Sequence, residues 1–137
     1  MQLEVLEQPD PALLDFLKQQ IVDFNQQHWE VKQRLPLAVT VRGDDGEIVA
    51  GAAARTFGRW LLLDYLWVAP ELRGQDVGSR VLAALEEQAR QRGCEEALLD
   101  TLDFQARPFY ERHGYRVRWT QEGYPATGCK FFMTKTL

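Results

Sequence analysis

The sequence has few of the residues that build disulfide frameworks or metal centres. Among its 137 residues are only two cysteines and two histidines. Cys94 and Cys129 lie far apart, which fits free thiols in a reducing compartment better than a disulfide framework. With His28 and His113 as the only histidines, no cluster has the spacing of a zinc site. We therefore expect no metal centre and a cytoplasmic location.

Long hydrophobic runs and an excess of positive charge are also missing. The longest apolar runs, such as residues 61–63, are far shorter than the roughly 20 residues that span a bilayer. The N-terminus shows no basic stretch followed by an apolar one, as a signal peptide would. Sixteen basic and twenty acidic residues give a net charge of -4, which leaves no sequence-wide basic footprint, although a local basic patch is not excluded. We expect neither a membrane nor a nucleic acid as partner.

What the sequence does contain is the composition of an ordinary globular domain. Hydrophobic residues make up 45% and charged residues 26% of the chain, and glycine and proline are scattered rather than clustered. The length suits one domain of about 100–200 residues. No internal repeat or linker is visible. The expected organisation is a single domain over residues 1–137.

Apolar periodicity predicts a mixture of strands and helices. Residues 2–8 alternate as a strand does, and Asp10 and Pro11 are a typical N-cap and first residue of an amphipathic helix that runs to about Asn25. The long helix is predicted over residues 77–92, ended by Gly93. A brief helix ends before Gly114, and the remaining strands are predicted at 37–42, 47–57, 59–68, 97–102, 115–121 and 130–136. The order β-α-β-β-β-α-β-α-β-β indicates an α/β fold with a mixed central sheet.

The connection between the strand ending at Val68 and the long helix has the features of an anion site. The start of a helix offers unpaired backbone N–H groups and a partial positive charge. Gly74 and Gly78 allow close approach to the backbone, and Arg73 adds a charge with bidentate reach. The segment is neither a P-loop nor a dinucleotide-binding fingerprint. From these features alone, an ordinary tight connection between strand and helix is an equal alternative.

Two motifs in this part of the chain resemble those of the GNAT superfamily of acyl-CoA-dependent N-acetyltransferases. The run Arg73-Gly74-Gln75-Asp76-Val77-Gly78 follows Val68-Ala69-Pro70 and is similar to the family's Arg/Gln-x-x-Gly-x-Gly/Ala signature. Residues 103–115 resemble the family's second segment, which ends in aromatic-Tyr-Glu-Lys/Arg-x-Gly-aromatic. One helix and one strand separate the two motifs, as in the family. The resemblance implies a GNAT-like sheet and transfer of an acetyl group from acetyl-CoA to an amine in a ternary complex.

The resemblance also implies which residues contact acetyl-CoA. The backbone of Leu66 and Val68 would bind the pantetheine arm as an added strand would, and the loop at 73–79 would hold the pyrophosphate. Asp103 stands where the family often has Asn, and an ionised Asp accepts hydrogen bonds but cannot donate them. The full set of expected contacts is Leu66, Trp67, Val68, Arg73, Gly74, Gln75, Asp76, Val77, Gly78, Ser79, Asp103, Ala106 and Phe109.

Asp76 departs from the family pattern, because it replaces the first glycine of the signature. One interpretation is that its carboxylate caps the long helix, competes with the pyrophosphate for the same N–H groups and weakens CoA binding. Another is that the site is degraded, which would leave a CoA-binding regulatory or interaction module with weak or lost transferase activity.

Tyr110 and Asp64 are the candidate catalytic residues. Tyr110 matches the family tyrosine that donates to the departing thiolate, and a phenol with a pKa of about 10 is protonated at neutral pH. Its alternative role is that of a core aromatic. Asp64 is the candidate acceptor of the amine's proton, since strand alternation puts it on one face with Leu66 and Val68. Its alternative is a structural carboxylate, paired with an arginine or at a solvent-facing strand position. Glu47 and Asp100 are weaker candidates for the base.

The acceptor amine is not specified by any motif. A free small molecule and a protein amine both fit, and the net charge of -4 is mildly compatible with a cationic acceptor. Family analogy makes a homodimer plausible. His113, next to Gly114, is assigned no chemistry.

Overall fold

The computed structural model describes residues 1–137, which form two compact units, Met1–Lys32 and Gln33–Leu137. The first unit contains helix α1 (Pro11–Gln26). The Asp10 carboxylate accepts a hydrogen bond of 2.9 Å from the Ala12 N–H, and Pro11 occupies the first helical position, as predicted. No residue of α1 is buried. That one domain spans the whole chain stays a prediction.

The strand expected at residues 2–8 is absent, and this prediction is wrong. Leu3 and Val5 remain 91% and 81% exposed. An alternating pattern becomes a strand only when a neighbouring strand supplies hydrogen bonds and a core covers the apolar side. Residues 2–8 have neither. From α1 onward, the order of elements matches the prediction.

The second unit is built on one six-stranded sheet in the order β1-β2-β3-β4-β6-β5. All neighbouring strands are antiparallel except β3 and β4, which are parallel and joined through helix α2. A short 3-10 turn, Pro70–Leu72, precedes α2 (Val77–Gln91), and α3 spans Arg107–Arg112. The strands are β1 (Leu35–Arg42), β2 (Ile48–Phe57), β3 (Trp60–Val68), β4 (Glu96–Leu102), β5 (Arg116–Glu122) and β6 (Cys129–Thr136).

Helix α2 supplies one side of the hydrophobic core. Its buried residues Val81, Leu82, Leu85 and Ala89 recur at helical spacing, as the sequence predicts. They join the small side chains of β2, together with Leu61 of β3 and Met133 of β6. Alanines on β2 let the helix lie close to the sheet. None of the three α-helices combines the length and apolar character needed to cross a bilayer.

The sheet opens between β3 and β4. Their ladder consists of three pairs, from Trp60 with Glu96 to Leu62 with Leu98, and ends there. Beyond Leu62, β3 continues for six residues with β2 on one side and no strand on the other. This opening positions the candidate site.

Candidate active site

A bulge in β3 determines which side chains face the core. Ala53 pairs with Tyr65 and Ala54 pairs with Leu63, so Asp64 is an extra residue on β3. An extra residue shifts the alternation of side chains by one position. The residues before and after the bulge that pack against the core are Leu61, Leu63, Leu66 and Val68.

Asp64 therefore lies on the face opposite to Leu66 and Val68, and the expected shared face is wrong. Its carboxylate accepts two hydrogen bonds from Arg55, of 3.0 Å from Nε and 2.9 Å from Nη2. Arg55 stands between core-facing residues of β2, which places its own side chain on the outer face. The arginine pairing that was the alternative for Asp64 is present.

The open edge of β3 presents backbone groups to the gap. The Ala69 N–H donates to the Val49 carbonyl at 2.8 Å. Hydrogen-bonded and non-bonded pairs alternate along an antiparallel ladder, so Leu66 and Val68 belong to non-bonded pairs with β2. Their N–H and C=O groups point away from β2. One of these groups is already engaged, since the Arg73 Nε–H donates to the Val68 carbonyl at 3.1 Å.

The loop that leads into α2 has a left-handed backbone at two positions. Gly74 has φ 77° and Asp76 has φ 67°. Asp76 occupies the N-cap position of α2, yet its side chain makes no hydrogen bond with the helix. The predicted cap is therefore wrong, because a capping side chain requires an extended backbone at the N-cap rather than a left-handed one. The first N–H groups of α2 are left without a side-chain cap.

A cavity of about 520 Å³ lies between this loop, the open edge of β3 and α3. It brings together all the expected cofactor contacts except Gln75 and Asp103. The Gln75 side chain donates to the Glu71 carbonyl at 3.0 Å instead. The carboxylate of Asp103 lies beside Gly128, so close that a Cβ on that glycine would come within 3.2 Å of Asp103 Oδ2. The lining residues are Leu66, Trp67, Val68, Leu72, Arg73, Gly74, Asp76, Val77, Gly78, Ser79, Ala106, Phe109 and Arg112.

Two of these lining residues, Leu72 and Arg112, were not among the predicted contacts. Arg112 follows Phe109 by three residues on α3, so the two side chains share a helix face. That spacing is a signal the sequence contains. Arg112 forms no ion pair within the chain and adds a positive charge to the cavity.

A second cavity, of about 760 Å³, adjoins the first and shares Leu66, Trp67, Arg73 and Ala106 with it. It contains both candidate catalytic residues, Asp64 and Tyr110. Its other lining residues are Leu63, Tyr65, Leu99, Asp100, Thr101, Leu102, Phe104, Gln105, Tyr124 and Lys130. Four aromatic side chains besides Tyr110 thus surround a space that also holds two carboxylates and two cationic groups.

Tyr110 is 7% exposed and belongs to the core cluster. Burial, followed by the negative charge of Asp100, raises the pKa of Tyr110 to about 12. The phenol is therefore protonated at neutral pH. Its hydroxyl makes no hydrogen bond within the protein and is not sealed from the cavity. Tyr110 thus combines its alternative role as a core aromatic with a free proton donor at the cavity wall.

No group of three or more His, Cys, Asp or Glu side chains converges in the structure. The groups available are an uncapped helix start, an open strand edge, a protonated phenol and carboxylates. These groups occur in one connected space.

Comparison with known proteins agrees with this arrangement. Residues 3–115 match the model of the acetyltransferase (GNAT) family. The chain is 33% identical to an acetyltransferase of Agrobacterium fabrum over 99 residues, which cover 72% of each chain. It is 38% identical to the blasticidin-S acetyltransferase of Streptomyces morookaense over 96 residues, covering 69% of this chain and 71% of that relative.

Solved structures show the same architecture. The crystal structure of an acetyltransferase from Bacillus cereus superposes with a TM-score of 0.88 over 98% of both chains, at 27% identity. An aminoglycoside 6'-N-acetyltransferase complexed with coenzyme A shares the fold, with a TM-score of 0.66 at 20% identity over 99% of this chain and 97% of that one. Nothing in these matches favours the alternative of a module without transferase activity. The family match covers most of the chain, and the sheet of this chain opens beside a glycine-containing loop. We conclude that the chain belongs to the GNAT acetyltransferase family and is an N-acetyltransferase.

Proposed function

We propose that acetyl-CoA is the acetyl donor and that it binds across the two cavities. The unpaired edge of β3 carries this proposal, because it offers the backbone groups of Leu66 and the N–H of Val68 to the amides of a pantetheine arm. The loop at 73–79 and the start of α2 would hold the pyrophosphate. Bound there, acetyl-CoA supplies the activated acetyl group. A left-handed Gly74 and an uncapped helix start fit a phosphate, since no side chain occupies the donors.

Tyr110 is proposed as the proton donor to the departing sulfur. Its hydroxyl is protonated, has no partner within the protein and lines the second cavity near the residues shared with the first. A donor that is preorganised and free of other hydrogen bonds can stabilise charge that develops on a leaving thiolate. The amine would attack directly, without an acylated protein side chain.

Asp64 remains the proposed acceptor of the amine's proton. Each carboxylate oxygen has two lone pairs, so the two hydrogen bonds from Arg55 leave sites free to accept a proton or a water. Asp100 lines the same cavity and forms no ion pair. It is the competing candidate.

The acceptor is proposed to be a small-molecule amine rather than a protein amine. The second cavity is bounded by Tyr65, Trp67 and Phe104, and by Tyr124, over whose ring Lys130 Nζ lies at 4.3 Å; it also contains the carboxylates of Asp64 and Asp100. Aromatic faces and carboxylates together suit a cationic amine with a flat or apolar body. The name of the Streptomyces relative, a blasticidin-S acetyltransferase, is in line with a small acceptor.

The deciding experiment measures thiol release from acetyl-CoA with a panel of amines, including blasticidin S, polyamines and arylalkylamines. We expect release that depends on the amine, and a loss of about 10²–10⁴-fold in kcat for Tyr110→Phe, which removes the proton donor. Tyr115→Phe is the matched control, because Tyr115 is also a buried tyrosine, but its hydroxyl donates to Glu86 and the residue lines neither cavity. Release that falls no further in Tyr110→Phe than in Tyr115→Phe would contradict the assignment of Tyr110.

Cys94 and Cys129 are free thiols in the structure, in line with the proposed cytoplasmic location. The homodimer stays a prediction from family analogy.

A further inference from the structure

A serine that lines the first cavity contacts a histidine that does not. Ser79 Oγ lies 2.8 Å from His113 Nε2 in a partly buried contact. Ser79 is the third residue of α2, and His113 is the C-cap residue of α3. The contact therefore joins the start of one helix to the end of another, across 34 residues of sequence.

The histidine ring is held on a second side. It packs against the ring of Phe109, with centroids 4.7 Å apart, and Phe109 itself lines the cavity. The His113 backbone N–H donates to the Tyr110 carbonyl at 3.0 Å. The packing of the ring against Phe109 and the backbone hydrogen bond to Tyr110 therefore help to orient Nε2 toward Ser79, in addition to the contact with Ser79 itself.

The direction of the hydrogen bond decides what Ser79 can bind. A serine hydroxyl has one proton to donate and lone pairs to accept. When His113 Nε2 carries the proton, His113 donates to Ser79 Oγ and the serine proton is free for another acceptor. In the opposite direction, the serine donates its proton to His113 and has none left for a ligand.

The surroundings of Ser79 favour an anionic acceptor. The start of α2 carries a partial positive charge, and no side chain caps it. Arg112, next to His113 in the chain, lines the same cavity without an ion pair. An anion here accepts from Ser79, and this selects the state in which His113 Nε2–H donates to Ser79. Hydrogen bonds in such a chain strengthen one another.

We propose that His113 is a positioning residue for the acetyl donor: it holds Ser79 so that the serine hydroxyl donates its proton to a phosphate oxygen of coenzyme A. This inference rests on the proposed binding of acetyl-CoA at the loop. It adds a role for a residue that no motif assigns. No covalent step is involved.

The test measures coenzyme A affinity by titration calorimetry for Ser79→Ala, His113→Leu and the double variant. Leucine keeps the apolar contact with Phe109 but removes the donor. We expect each single variant to bind coenzyme A about tenfold more weakly. The double variant should bind no worse than Ser79→Ala, because His113 acts through Ser79. His113→Gln, whose amide can reach the position of Nε2, should recover most of the affinity.

Two readouts separate positioning from a general effect on the fold. The KM for acetyl-CoA should rise in His113→Leu while kcat stays the same, and inhibition by pantetheine, which lacks the phosphates, should not change. Unchanged coenzyme A affinity in His113→Leu, losses that add in the double variant, or an equal loss for pantetheine would overturn the inference. If the unaltered protein fails to bind coenzyme A, the proposed function fails and this inference fails with it. If the unaltered protein binds coenzyme A and His113→Leu binds it equally well, this inference alone fails.

Discussion

At the scale of single residues, Asp76 combines an unusual backbone with an unpartnered charge. Its φ of 67° lies in the left-handed region, where a residue with a Cβ costs about 1 kcal/mol more than glycine. Because its carboxylate does not cap α2, it does not compete for the N–H groups by bonding them. It still lines the cavity as a negative charge, so it opposes a diphosphate by electrostatic repulsion.

Replacing Asp76 by glycine should therefore tighten coenzyme A binding by about three- to tenfold, the effect of roughly 1 kcal/mol of repulsion. Thermal stability should stay the same or rise slightly. Glycine removes the backbone strain of the left-handed conformation, but it also makes the unfolded chain more flexible, which partly offsets that gain. Titration calorimetry and thermal unfolding measure both. Asp76→Asn removes the charge but keeps the Cβ. An equal gain in both variants identifies charge as the cause, and equal affinity in all three proteins contradicts the repulsion.

Asp64 and Asp100 can be separated as proton acceptors by paired amide variants. We expect Asp64→Asn to lower kcat at neutral pH by about 10²-fold, because the amide cannot accept the amine's proton, with the KM for acetyl-CoA little changed. Arg55→Gln controls for loss of the ion pair, which is partly exposed and contributes little to stability. A loss confined to Asp100→Asn would move the role to Asp100.

At the scale of elements, α2 combines a start that no side chain caps with a buried charge near its middle. Glu86 is 4% exposed. Its carboxylate accepts hydrogen bonds of 2.8 Å from the Tyr115 hydroxyl and 2.8 Å from Lys135 Nζ. Burial and the adjacent Glu86 carboxylate both raise the pKa of Tyr115, so its hydroxyl remains a donor. The contact ties α2 to β6 and to the residue that precedes β5.

Removing the cation from this cluster should destabilise the fold more than removing both charges. Lys135→Met leaves Glu86 buried without its ion-pair partner, and we expect a loss of about 3 kcal/mol in the free energy of unfolding. Adding Glu86→Gln should restore a substantial part of the lost free energy of unfolding, because the amide carries no charge and its oxygen still accepts a hydrogen bond from the Tyr115 hydroxyl. Urea denaturation measures both variants. A double variant as unstable as Lys135→Met would show that the lost contacts, rather than the unpaired charge, cause the effect.

At the scale of the whole molecule, the site forms where a sheet stops pairing. The parallel ladder of β3 and β4 ends after three pairs, and the bulge at Asp64 redirects β3 as it leaves the core. The loop, the open strand edge and α3 meet at this place. Ser79, which lines the first cavity, thereby contacts His113, which lies 34 positions away in the sequence. The opening belongs to no single element.

Much of this architecture could be predicted from local patterns. Helix α2 begins at Val77 as expected and ends one residue earlier than predicted, because apolar spacing and Gly93 mark its ends. The strands from β1 to β6 fall within two residues of their predicted bounds. Residues 2–8 do not follow their local pattern. Their alternation is as clear as that of a real strand, but pairing depends on a partner that the pattern does not contain.

By itself the sequence determined the family, the helices and strands from α1 onward and most of the residues that line the first cavity. Caps, periodicity and motif spacing are local properties, and local properties can be read along a chain. Only the tertiary structure decided the face of Asp64, the left-handed backbone of Asp76 and the partners of Ser79 and Glu86. A bulge depends on the register of the neighbouring strand, and a contact between distant helices depends on how they pack. Neither is encoded in the spacing of residues.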